Sequence, residues 1–173
     1  MDDDALDYLA SLLQREAINN VLVTGYIDRS ERVHQFRPVP DTVYLELGHG
    51  FLRMDAIGQY DQLKLSHVDE IVLEDILVDD DDDPAVGSYA QMFLTFGSTE
   101  PRCTGLRYWT DERSDPVAGV VKCLEVEVDG VDIIFADPTW HFGIHLGTAE
   151  RRRKWQRDYF DEAKGMREFS WRP

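Results

Sequence analysis

Two runs of alternating side chains meet at Asp129-Gly130, and no other feature of the chain constrains its fold as strongly. Val120–Val128 and Val131–Ala136 flank a pair preferred in type I′ hairpin turns. A two-residue turn there sets Val128 opposite Val131, Val126 opposite Ile133 and Leu124 opposite Phe135 on an apolar face. Glu127 then lies opposite Asp132 on the polar face, with Glu125 one pleat further along. Like charges directly opposite on a sheet are destabilising. Such a face is either simply solvated, or a carboxylate patch that a partner's Lys or Arg relieves.

A second hairpin has a readable register. Val43–Leu47 alternates, Gly48-His49-Gly50 follows, and Phe51–Ala56 continues. A two-residue turn at His49-Gly50 pairs Leu47 with Leu52, Leu45 with Met54, Val43 with Ala56 and Glu46 with Arg53. A three-residue turn would set Leu45 against Arg53, so the first register is expected.

Around these hairpins, Asp2–Asp4 favour a helix start, and Leu6, Leu9, Leu13 and Ala17 predict an amphipathic helix over roughly residues 4–18. Val21–Ile27, Gln62–Ser66, Ile71–Val78, Tyr89–Phe96 and Leu106–Trp109 read as strands. Residues 28–40, with Pro38 and Pro40, read as a loop. Trp140, Phe142, Ile144 and Leu146 alternate with His141, Gly143 and His145, as in a strand. Thr148 opens a last helix through Trp155, Tyr159, Phe160 and Ala163, ending near Gly165. The expected class is α+β: one domain over 1–173, with a single, mainly antiparallel, meandering sheet between an N-terminal and a C-terminal helix.

Charge narrows the function. Of 34 acidic and 18 basic residues, 30 and 10 fall in residues 1–150, a balance of −20. Residues 151–173 hold 4 acidic and 8 basic, a balance of +4, so a basic helix follows from about 149. The net −16 disfavours nucleic acid and anionic membranes and favours a cationic partner. Arg151-Arg152-Arg153-Lys154 sits in a helical first turn, where the dipole disfavours cations, which predicts docking on the acidic body. The start Met1-Asp2-Asp3-Asp4 lacks a signal peptide's basic residues, so the expected location is cytoplasmic.

No cofactor or metal is expected. In Asp79-Asp80-Asp81-Asp82-Asp83 neither start gives the glycine and bidentate glutamate of an EF-hand loop. His141 and His145 on a strand would stand roughly 13 Å apart, too far for one ion. No P-loop, GxGxxG or GxSxG occurs, and Cys103 and Cys123 read as buried thiols.

In overall character, including Val43–Leu65 and Leu124–Gly147, the chain resembles bacterial immunity proteins of polymorphic and contact-dependent toxin systems. The resemblance implies bacterial competition, with a non-catalytic inhibitor that occludes the active or substrate-binding surface of a cognate, basic toxin. It carries no motif, so no family site residue is transferred. The residues' own candidates for partner binding are Asp79–Asp83, Glu125, Glu127 and Asp132, with Tyr44, Tyr60 or Trp109 as exposed anchors. The alternative is a small-molecule or enzymatic domain with a pocket near Asp137, His141 and His145, beside Cys123.

Overall fold

Helix and strand combine in two antiparallel sheets, not one. The structure, a computed structural model, describes residues 5–30, 32–73, 76, 79, 82–94, 100–129 and 133–172. Helix α1 (Ala5–Arg15) buries Leu6, Leu9, Leu12 and Leu13, the stripe its spacing predicts; Asp2–Asp4 lie outside the described residues. The first sheet holds β1 (Asn20–Asp28), β2 (Gln35–Glu46), β3 (Phe51–Ile57), β4 (Gln62–Val68) and β5 (Asp83–Ser88). A two-residue strand, β7 (Val120–Val121), completes it, in the order β5-β1-β2-β3-β4-β7.

The expected loop at 28–40 is in large part strand. β2 tolerates Pro38 and Pro40 because β3 pairs only with Thr42–Glu46, leaving the proline half one neighbour, β1. Proline lacks the N–H that a second neighbour would need. The β1–β2 register shifts from Val23↔Val43 to Gly25↔Pro38, so β2 bulges at Val39–Asp41. Thr24 fills the bulge: its buried Oγ1 lies 2.7 Å from the Val39 carbonyl and 2.9 Å from that of Thr42.

The β2–β3 hairpin pairs Leu45 with Leu52, Val43 with Met54 and Tyr44 with Arg53, two residues away from the expected register. The loop is longer than a two-residue turn, and the Leu47 N–H donates to the Gly50 carbonyl at 3.0 Å. A shift of two keeps every side chain on its expected face, so Leu45, Leu52 and Met54 are still core.

The second sheet runs β10-β9-β8-β6-β11, from β6 (Cys103–Thr110), β8 (Cys123–Val128), β9 (Ile133–Asp137), β10 (His145–Gly147) and β11 (Arg167–Trp171). β8 pairs with β9 as Leu124↔Ala136, Glu125↔Phe135, Val126↔Ile134 and Glu127↔Ile133. This is one residue off the two-residue-turn register, and Glu127 faces Ile133 instead of Asp132; Gly130, Val131 and Asp132 lie outside the described residues. A one-residue slip inverts β9, so Phe135 joins the face opposite Leu124.

That inversion makes two cores. Leu106, Leu124, Val126 and Ile134 meet α1 and the first sheet's Val43, Leu45, Leu52 and Leu63 in one cluster. On the other face Trp109, Cys123 and Phe135 are sealed by Trp155 of helix α3 (Ala149–Tyr159). Three further expectations differ. Tyr89–Phe96 is not a strand: Ala90–Phe93 forms one helical turn, α2, and residues 95–99 are outside the described set. Ile71, Val72, Leu73 and Ile76, the described part of 71–78, are not strand. The last helix stops at Tyr159; a short 3₁₀ turn, Glu162–Lys164, leads through Gly165 into β11. No helix among the described residues is long and apolar enough to cross a membrane.

Candidate functional site

The sheet face expected to carry an open carboxylate patch is instead partly covered by cations of the same chain. Glu125, Glu127 and Asp137 lie on the second sheet's face toward α3. Glu125 is a correction: its side chain is 4% exposed, held by Arg152 of α3 at 3.2 Å and Arg107 of β6 at 3.8 Å. Burial pushes its pKa up, against the opposing pull of Arg152 and Arg107. Asp137 is fully buried; it accepts from Arg151 at 2.5 Å and from the Thr139 N–H at 2.9 Å. Glu127 remains half exposed, 3.8 Å from Arg172. The unfavourable cations of the first helical turn are thus explained: two of them neutralise carboxylates beneath the helix.

The other carboxylates sit elsewhere. Asp83 opens β5 at the edge of the first sheet and pairs with Arg29. Asp79 is exposed, and its carbonyl accepts from the Asp82 N–H at 2.9 Å. Asp80, Asp81 and Asp132 lie outside the described residues. Of the three anchor candidates, Tyr44 and Trp109 are core residues, 1% and 0% exposed; Tyr60 is at the surface.

Tyr60 lines an apolar cleft of about 580 Å³ that gathers aromatic and polar side chains. One wall is the β2 bulge, Pro38–Asp41; another is Met92 and Phe93 of α2; the third is the segment Trp140–Leu146. That segment turns at Trp140–Gly143 and is strand only from His145, against the alternation in its sequence. Gly143 requires it: its φ is +104°, and a Cβ there would stand 2.5 Å from the Pro40 carbonyl oxygen. The next N–H, of Ile144, donates to that same oxygen at 2.6 Å. The turn is therefore stitched to the bulge, and the cleft walls are fixed to each other.

The cleft is aromatic and open. Trp140 meets Phe142 edge to face and His145 at a tilt, with ring centroids 5.0 and 5.2 Å away. Met92 and Phe142 are 68% and 59% exposed, costly for large apolar side chains unless something covers them. His145 is half buried; burial first, then the Arg151 cation, lower its pKa, against the pull of Asp137. The imidazole is thus neutral near pH 7 and able to donate or accept one hydrogen bond. Asp41 raises the pKa of the Tyr60 phenol, keeping it a neutral donor. Sequence reasoning located His141 and His145 but missed Met92, Phe93 and the proline bulge, because both segments were assigned the wrong structure.

Nucleophile chemistry is not assembled there. Cys123 is buried under Trp155 and its pKa is raised, by burial foremost; burial also pushes Cys103 up to about 11. Neither cysteine lines the cleft, nor does Asp137, which is committed to Arg151 and Thr139. Among the described residues no three His, Cys, Asp or Glu side chains are placed to share a metal ion. Comparison with known proteins finds no matching family model, no similar curated protein and no similar solved structure.

Proposed function

We propose that this protein is a non-catalytic binding protein whose recognition site is the cleft between the β2 bulge, α2 and the Trp140–Leu146 segment. The observation that carries the reading is the concentration of Met92, Phe142, Trp140 and Tyr60 around one apolar cavity, with only a few polar groups, His145 and Asp41 among them. Its volume falls within the roughly 300–1,000 Å³ typical of small-ligand sites, and apolar walls with a few fixed polar groups are their usual chemistry. The test is saturation-transfer NMR with small alkyl and aryl fragments. Fragments should receive magnetisation from the wild type and not from Val39→Trp, which plugs the cleft from the bulge. Equal transfer in both proteins would contradict the assignment.

A second reading is favoured by the net charge of −16: an immunity protein that captures a basic toxin. On this reading the acidic surface steers association and the exposed Met92 and Phe142 supply anchors. Glu125 has no part in it, since it is internally paired. Stopped-flow association with a basic protein encoded by a neighbouring gene should slow as salt rises. Neutralising Glu127, Asp79 and Asp83 should slow it further. A salt-independent rate, unchanged in that variant, would sink the acidic-surface mechanism.

A further inference from the structure

The cleft does not end at His145. Met92, Phe93, His145 and Leu146 also line a second groove, which continues along α3 past Gly147, Thr148 and the carboxylate Glu150 to Arg151, Arg153, Lys154 and Arg157. The linings of the two cavities share these four residues, so the groove adjoins the cleft. The cleft is apolar, and the α3 side of the groove is mostly basic.

The basic end is unexplained by the fold. Arg151 and Arg152 are spent on Asp137 and Glu125. Arg153 and Lys154, in the same helical turn, are exposed and form no ion pair with a described carboxylate. They neighbour each other and Arg157, one turn on, whose partner Asp158 is itself exposed. Arg157 repels Arg153 and Lys154 at these spacings, and against these three cations the groove holds one carboxylate, Glu150, three and four residues before Arg153 and Lys154. The repulsion is offset when an anion occupies the groove. Lys154 and His145 line the same groove, and His145 also lines the aromatic cleft.

We infer that cleft and groove form one site for a small anionic amphiphile, with an alkyl or aryl body between Trp140, Met92 and Phe93 and a carboxylate or phosphate head on Arg153 and Lys154. This rests on the reading of the cleft as a ligand site and adds the ligand's charge and polarity. The occupant is a free molecule, not a bilayer. The net charge of −16 repels an anionic membrane surface as a whole, while a single headgroup meets only the local cations.

The test uses the full chain and a fluorescent probe, dansyl-undecanoic acid, beside its uncharged methyl ester. The acid should bind, with decanoate displacing it, and the ester should bind about tenfold more weakly, the effect of two partly exposed charge contacts. Arg153→Gln/Lys154→Gln should reduce acid affinity to about that of the ester and leave ester affinity unchanged. Arg32→Glu, a charge change on the β1–β2 loop outside both grooves, should alter neither. Equal binding of acid and ester would overturn the anionic assignment while leaving the cleft as a ligand site. Failure of both to bind would overturn the inference together with the cleft reading. Loss of acid binding in Arg32→Glu equal to that in the double variant would show bulk charge and reject the basic end. Co-sedimentation with phosphatidylglycerol vesicles, without binding of the monomeric probe, would assign the surface to a membrane and also reject it.

Discussion

Glu125 shows how a single residue decides between a surface patch and a structural element. Its carboxylate faces α3, where Arg152 and Arg107 hold it out of water. Removing one partner of a buried pair leaves an uncompensated charge, so Arg152→Ala should lose about 3 kcal/mol in urea unfolding. A loss within ~0.5 kcal/mol, the range of ordinary surface changes, would return Glu125 to the surface. Two carboxylates should also bend the pH–stability curve in opposite senses. Glu125 has a raised pKa in the fold, from burial against Arg152 and Arg107. Between the ordinary and the raised value the folded state holds a proton that the unfolded state has lost. Stability therefore falls as pH rises through that window, and Glu125→Gln should remove the slope. Burial acts to raise Asp111 too, but the Arg113 N–H, Lys122 and Gln62 outweigh it and hold its pKa below the ordinary range. Its contribution is present above that range and is lost as pH falls through the lowered value; Asp111→Asn should flatten the acid limb. Denaturant melts at several pH values check both signs.

At the scale of elements, α3 is the piece on which the second sheet depends. Trp155 packs against Trp109 and Phe135, with ring centroids 5.4 and 6.0 Å away, and is fully buried. Trp155→Ala should cost about 3–5 kcal/mol. Trp155→Phe should cost far less, because among the described residues the buried indole N–H has no hydrogen-bond partner to lose. Equal losses in thermal melts would show that the N–H carries the contact. Much of this layout was legible in the chain. The leucine stripe gave α1, and the alternation at 43–56 put the right side chains inward even though its register was two residues off. Period-two patterning is blind to such a shift. A one-residue difference beside Asp129 is not harmless: it turned Phe135 to the opposite face and concealed the second core. The proline half of β2 and the turn at Gly143 were illegible for another reason. Each depends on a distant partner, a half-open strand edge in one case and the Pro40 carbonyl in the other. Tyr89–Phe96 was too short an apolar run for periodicity to separate helix from strand.

For the molecule as a whole, the acidic body and basic tail are one electrostatic design. The tail's first two cations close over carboxylates of the second sheet, and the next two line a groove that shares residues with the aromatic cleft. Histidines recognised in the sequence mark the cleft's position, while its walls come from segments whose structure the sequence does not announce. The cleft is the centre of this account, and the four tryptophans report on it separately. Trp140 lines it, Trp109 and Trp155 lie in the second core, and Trp171 packs against the first from β11. Fluorine NMR of the fluorotryptophan-labelled chain, titrated with decanoate and assigned with Trp140→Phe, tests it most directly. A shift of the Trp140 signal alone, saturating with ligand and absent in Val39→Trp, is the predicted result. A Trp140 signal that stays in place at saturating decanoate and at saturating methyl decanoate, or moves only together with the three others, would contradict it.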